Sequence, residues 1–259
     1  MKRATEKIKK ASDGILDLIF PPRCVVCGRV MERGGRSDAL CGDCYTVYLR
    51  EKIEKCTRCG MPYDVCFCTP DGFETDVLVY AVPYDSTLPV TKSLVLSMKR
   101  RRNLPAARFL ASAAVKKALR VGGIPDDAVV TYVPRSPEKK RRYGTDQAEE
   151  LAAAVCSFAG IGAPVKLIKH RNFTREQKTL GAYGRAQNAL TSFAPVRGCE
   201  KKIGGRCVVL IDDVVTTGAT MNACAGILKD CGAAGVICIA AARRDDHGRQ
   251  SGATDETQD

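Results

Sequence analysis

Two groups of residues in this sequence have the types and spacing for chemistry: an acidic pair beside a hydroxyl-rich loop, and a run of paired cysteines. Asp212 and Asp213 follow the wholly apolar Val208-Val209-Leu210-Ile211 and lead into Val214-Val215-Thr216-Thr217-Gly218-Ala219-Thr220. Small residues and a glycine ahead of a helix let backbone N–H groups close around a phosphate, where the helix dipole adds to the attraction. Two carboxylates beside a phosphate cradle repel the phosphate, unless the ligand also presents hydroxyl donors, as a ribose 5-phosphate does. An acidic pair that merely caps a helix is the plainer alternative. An apolar strand ending in two acids also suits a nucleotide triphosphatase, but G-x-x-x-x-G-K-[ST] occurs nowhere in the chain.

Eight of the 14 cysteines lie between Cys24 and Cys68. Cys24-x-x-Cys27 and Cys41-x-x-Cys44 are two tight turns presenting two thiolates each, enough to complete a tetrahedral zinc site with no open position. Cys56-x-x-Cys59 followed by Cys66-x-Cys68 suggests a second site, so one or two structural Zn²⁺ ions are expected. A redox C-x-x-C is the alternative. Secreted disulfide scaffolds are small and lack a large unlinked core, so paired cysteines here point to metal in a reducing, cytoplasmic setting. The six later cysteines sit singly among apolar residues and read as core filler.

Two polar segments upstream add charge. Val133-Pro134-Arg135 and then Lys139-Lys140-Arg141-Arg142-Tyr143-Gly144-Thr145-Asp146-Gln147 lie between a strand and a helix. Further on, Arg171, Thr174, Gln177 and Leu180 are followed by Arg185, Asn188 and Phe193. That spacing resembles the ComF family, whose pattern runs R-x-x-x-T-x-x-Q-x-x-L, then R-x-x-N and an aromatic. Val208–Thr220 resembles the signature of type I phosphoribosyltransferases, which is also the ComF domain, and ComF proteins carry an N-terminal zinc-ribbon region. The likeness runs from about Pro21 to Arg243. One departure stands out: the family's R-G-F-N-Q is replaced by the stretch ending Thr145-Asp146-Gln147, so no role carries over to Thr145 or Asp146.

The resemblance implies binding of 5-phosphoribosyl-1-pyrophosphate (PRPP) with Mg²⁺. Asp212 and Asp213 would hold the ribose hydroxyls and be the catalytic pair. Thr216, Thr217, Gly218, Ala219 and Thr220 would wrap the 5′-phosphate, Val214 and Val215 would complete the PRPP-binding loop, and Arg135 and Arg142 of the basic segment could supply charge to the pyrophosphate. It implies a phosphoribosyltransferase acting on an acceptor the sequence does not name, in a protein associated with DNA uptake. The alternative is a non-catalytic zinc protein handling single-stranded DNA, alongside a competence helicase or another DNA-processing partner. Met98-Lys99-Arg100-Arg101-Arg102 and Lys139–Arg142 would then meet phosphates, although the 6% aromatic content offers no obvious stacking platform. Neither His170 nor His247 sits in a suggestive pattern.

Several elements must position these groups. Strand-like Val77–Val82, Ala128–Val133, Val165–Ile168, Cys207–Ile211 and Val236–Ala241 alternate with helix-like Leu88–Met98, Ala106–Leu119, a segment from Ala148 to Phe158 stopped by Gly160, and one from Met221 to Cys231. Such alternation predicts an α/β fold: a parallel sheet flanked by helices, of type I phosphoribosyltransferase form, behind a small cysteine-rich zinc-ribbon module. The expected divisions are an amphipathic helix over 1–20, the ribbon module over 21–72, the main domain over 73–243 and a disordered tail over 244–259. The apolar run before Pro21 is broken by Asp17 and too short to span a bilayer, so no membrane span is expected. The net charge of +12 favours polyanionic partners, a pyrophosphate or a nucleic acid.

Overall fold

The computed structural model describes residues 21–31, 37–100, 103–144, 146–171 and 192–244. The helix expected over 1–20, Arg101 and Arg102, Thr145, most of the segment from Arg171 to Asn188 and the tail beyond Arg244 lie outside the described residues.

Four strands form one fully parallel sheet: β1 (Val77–Tyr84), β2 (Val129–Tyr132), β5 (Cys207–Val215) and β6 (Gly235–Arg244), in the order β1-β6-β5-β2. β3 (Ile168–His170) and β4 (Phe193–Pro195) pair antiparallel as a separate two-stranded sheet. Parallel neighbours need crossover connections, and helices α2 (Pro89–Arg100), α3 (Leu104–Ala118), α4 (Pro137–Tyr143), α5 (Gln147–Ala159), α6 (Cys199–Ile203) and α7 (Ala219–Asp230) supply them. Helix α1 (Gly42–Ile53) belongs to the cysteine-rich region.

The sheet is covered on both faces, which is why β5 can be a continuous apolar run. Val209 and Ile211 pack with α3 and α5 residues such as Leu110, Ala114, Leu151 and Val155. Val208 and Leu210 face the other way, toward Met221, Cys224 and Leu228 of α7. The sequence expectation of a three-layer parallel sheet is met, with Val208–Ile211 fully buried. Five of the six later cysteines are buried in these layers, consistent with core packing.

β1 and β6 run longer than the sequence suggests, to Tyr84 and Arg244, and two further boundary differences bear on the site. β5 does not stop at Ile211; its ladder with β6 continues through Asp212↔Ala240 and Val214↔Ala242, so the acidic pair sits on the strand itself. The short strand expected at Val165–Ile168 begins instead at Ile168. Val165 still donates its N–H to the Val130 carbonyl at 2.8 Å, but the chain then turns away to pair with Phe193–Pro195. No helix among the described residues is long and apolar enough to cross a membrane.

Candidate phosphoribosyl site and zinc clusters

The cysteine clusters are the most fully built sites. The Sγ atoms of Cys24, Cys27, Cys41 and Cys44 all lie within 4.8 Å of one another, and so do those of Cys56, Cys59, Cys66 and Cys68. The Cys27–Cys41 and Cys59–Cys66 sulfurs are each 3.6 Å apart. A tetrahedron with Zn–S bonds of about 2.3 Å has edges of about 3.8 Å, so this spacing suits a shared metal, whereas a disulfide would need about 2.0 Å. The eight thiols are free of disulfides. Four thiolates and no carboxylate or imidazole is a closed, structural zinc donor set, and the C-x-C pair completes the second cluster as the first is completed by two C-x-x-C turns.

Each cluster hangs on local turns. Cys24 opens a turn closed by Gly28 N–H to the Cys24 carbonyl at 2.9 Å, and Cys56 opens a matching one closed by Gly60 N–H at 2.8 Å. The second cluster also reaches the main domain. Arg243 at the end of β6 is buried, and its Nη2 donates to Cys56 Sγ at 3.4 Å. Lys117 of α3, also buried, donates its Nζ to the Tyr63 carbonyl at 2.8 Å and lies 3.6 Å from the Tyr80 ring centroid. Glu51 of α1 sends its carboxylate to Val90 N at 2.8 Å and Thr91 N at 2.7 Å, in the first turn of α2.

At the carboxyl ends of β2 and β5, where open α/β sheets bind ligands, lies a cavity of about 290 Å³. Asp212, Asp213, Val214 and Thr220 line it from β5 and α7, Arg135 from the turn after β2, and His170 and Phe193 from the β3–β4 pair. Of the other residues expected here, Val215 is turned into the core. Thr216, Thr217, Gly218 and Ala219 form the adjoining loop and first helical residue rather than the cavity wall. Arg142 falls in α4, but its side chain lies outside the described residues.

The acidic pair is held in place by its own backbone. Asp212 Oδ1 accepts from Asp213 N, and Asp213 Oδ1 from Val214 N, both at 2.7 Å. Burial, then the neighbouring Asp213 charge, raise the Asp212 carboxyl well above its ordinary value, and Asp146 adds to the effect. Gly218, in the left-handed region at φ 76°, is the N-cap of α7 and offers no side-chain cap. The helix start therefore presents backbone N–H donors to whatever sits before it.

Sequence reasoning missed three residues here. Asp146 and Gln147 line the same cavity, and so does His170. Asp146 is buried, which raises its pKa, and its Oδ2 accepts from Arg135 N at 3.1 Å. Gln147 is 2% exposed, and neither of its amide atoms has a hydrogen-bond partner among the described residues. The signal was present in the replacement of R-G-F-N-Q, which leaves a carboxylate and a glutamine at the entrance to α5.

A larger cavity of about 590 Å³ lies apart from the acidic pair, between α1 and α3. Tyr45, Tyr48, Phe109 and Phe158 line it together with Lys52, Arg108, Lys116 and Arg120. Tyr48 and Phe109 meet edge-on at 4.9 Å, and Arg108 lies 5.4 Å from the Phe158 ring centroid.

Comparison with known proteins finds two parts in the chain. Residues 15–74 match the double zinc ribbon domain, and residues 161–256 match the phosphoribosyl transferase domain. A DNA utilization protein YhgH of Salmonella typhi is 28% identical over 207 residues, covering 76% of this chain and 87% of that protein. Competence protein F of Haemophilus influenzae is 29% identical over 119 residues, covering 46% of this chain and 52% of that protein. A solved allosteric regulatory enzyme of purine biosynthesis overlays with a TM-score of 0.38 and 18% identity, over 58% of this chain and 30% of that one. The protein thus joins a double zinc ribbon to a phosphoribosyltransferase-type α/β domain. These matches and relatives support the resemblance to the ComF family.

Proposed function

We propose that the protein binds PRPP in the 290 Å³ cavity and transfers its phosphoribosyl group to an acceptor, releasing pyrophosphate. The observation that carries this reading is the convergence of Asp212, Asp213, Thr220 and Arg135 on one cavity beside the uncapped start of α7. The acidic pair accepts from the ribose 2′- and 3′-hydroxyls, and the Thr216–Thr220 loop donates to the 5′-phosphate. Asp212, Asp213 and Asp146 provide hard oxygen donors suited to Mg²⁺, which when bound with PRPP supplies positive charge to the departing pyrophosphate. Arg135 adds fixed positive charge on the same side. The acceptor's lone pair bonds to C1 as the C1–O bond breaks, its electron pair leaves with pyrophosphate, and the acceptor gives up its proton. Little acid–base machinery is needed, and the pocket's part is to orient and stabilise charge.

Titration calorimetry with PRPP and Mg²⁺ tests the binding. The unmodified protein is expected to bind and the Asp212→Asn, Asp213→Asn double variant to lose binding; no binding by the unmodified protein overturns the reading. Pyrophosphate release across bases, amines and nucleic acids then identifies the acceptor.

A second reading, single-stranded DNA handling, is favoured by the 590 Å³ cavity. Aromatic faces for stacking and basic side chains for phosphates line it together, and relatives carry DNA utilization and competence names. The two readings are compatible, because the cavities are separate. DNA affinity and its salt dependence should survive the double Asp→Asn change and fall with Phe158→Ala and Arg108→Ala.

A further inference from the structure

The segment that leaves the second cysteine cluster runs directly onto the phosphate loop. Arg58, between Cys56 and Cys59, donates to the Thr69 carbonyl and to the Asp71 carboxylate, fixing the start of this segment to the cluster. Asn222, in the first turn of α7, then grips it at two points. Its Nδ2 donates to the Gly72 carbonyl at 2.6 Å, and its Oδ1 accepts from Glu74 N at 3.1 Å. Asp76 completes the attachment: its Oδ2 accepts from Val236 N at 2.9 Å and its Oδ1 pairs with Lys229 at 3.1 Å.

Between the two points that Asn222 holds stands Phe73. A Cβ added to Gly218 would lie 2.5 Å from Phe73 Cδ2 and 3.2 Å from Cε2, so the ring rests on the bare Cα of the loop's central glycine. Gly218 is therefore required twice, by its positive φ and by the ring against it. The loop has little else to hold it: Thr216 and Thr217 are exposed, and the Thr217 hydroxyl reaches Ala219 N only at 3.5 Å.

We infer that Phe73, clamped by Asn222, is a positioning residue for the Thr216–Thr220 loop, so that the second cysteine cluster and the phosphate site move as one unit. The inference rests on the proposed function for its ligand, but not for its mechanics. A loop ordered before binding spares the ligand the cost of ordering it. A ring serving only as core filler would leave loop exchange and ligand affinity alone while lowering stability.

The test uses the full-length, zinc-loaded protein with Phe73→Ala, Phe73→Leu, Asn222→Ala and the Phe73→Ala, Asn222→Ala double variant. PRPP affinity, amide hydrogen exchange at residues 217–222 and zinc content are measured on each. Phe73→Ala and Asn222→Ala are each expected to weaken PRPP binding roughly three- to tenfold. Both should speed exchange at 217–222 and leave zinc content unchanged. The double variant should be little worse than either single one, because both act through one contact, and Phe73→Leu should recover most of the loss. Unchanged exchange at 217–222 in Phe73→Ala overturns the inference, and if that variant fails to fold, the same result in Asn222→Ala does so. Should the unmodified protein bind no PRPP, the proposed function fails alone, and the exchange measurement still decides the positioning role.

Discussion

Glu51 offers a sharp test of how the zinc-ribbon region and the α/β domain are joined. Helix α2 begins with Pro89, preceded by Leu88, whose side chain has no oxygen to cap the helix. The N–H groups of Val90 and Thr91 would be buried and unpaired, but each meets one oxygen of the Glu51 carboxylate, at 2.8 and 2.7 Å. Val90 is 5% exposed, Thr91 0% and Glu51 5%, so water has little access to replace the lost partner. A hydrogen bond to a charged group is worth about 1.5–3 kcal/mol and an N-cap about 1 kcal/mol. The two bonds share one carboxylate and do not add fully. Glu51→Ala should therefore cost about 3 kcal/mol, and Glu51→Gln, which keeps one acceptor, about half of that. Urea unfolding of the zinc-loaded protein, followed by far-ultraviolet circular dichroism, measures both. Losses below about 0.5 kcal/mol in both variants would refute the argument, since that is the range of an ordinary surface change.

Asp212→Asn should stabilise the fold while abolishing ligand binding. The folded carboxyl has its pKa raised by burial and by the Asp213 charge. Its stability contribution is thus full below the unfolded carboxylate pKa and is lost as pH rises through the folded one. The variant should melt with the unmodified protein at about pH 4 and above it at about pH 8; equal melting at the higher pH counts against a strained carboxylate. Metal analysis should find two zinc ions per chain, and Cys68→Ser should leave one. Losing the second metal releases Cys56 from the position in which its sulfur meets buried Arg243, so that variant should also lose about 1.5–3 kcal/mol of stability. A Cys68→Ser protein as stable as the unmodified one would show that Arg243 does not depend on the metal.

What the sequence made legible was local. The thiol spacing of Cys24–Cys44 marked one cluster, and Cys66-x-Cys68 marked the second, because metal turns are written within a few residues. Val208–Ile211 announced a buried strand, and the glycine-bearing loop after it announced a turn into a helix. The strand's extension through Asp212 and Asp213 was not legible, because it depends on β6 offering Ala240 and Ala242 as ladder partners. The entry of Asp146, Gln147 and His170 into the cavity depends on how the turn after β2 and the β3–β4 pair converge on β5. The aromatic lining of the larger cavity was hidden for the same reason: Tyr45, Phe109 and Phe158 come from three helices far apart in the chain. Glu51 reads as an ordinary surface acid until its partners, 39 and 40 residues away, are known.

The strand order β1-β6-β5-β2 carries a consequence for the birth of the molecule. β6, formed by residues near 240, must be inserted between β1 and β5, and it buries Cys238–Ala242 completely in doing so. Until it emerges from the ribosome, β1 has no neighbour in the sheet and the edge of β5 is bare. The zinc ribbons, built from local turns, need not wait and can load metal first. The order of the chain thus lets the ribbons form before the sheet can close, and leaves the parallel edges of β1 and β5 unpaired until β6 arrives.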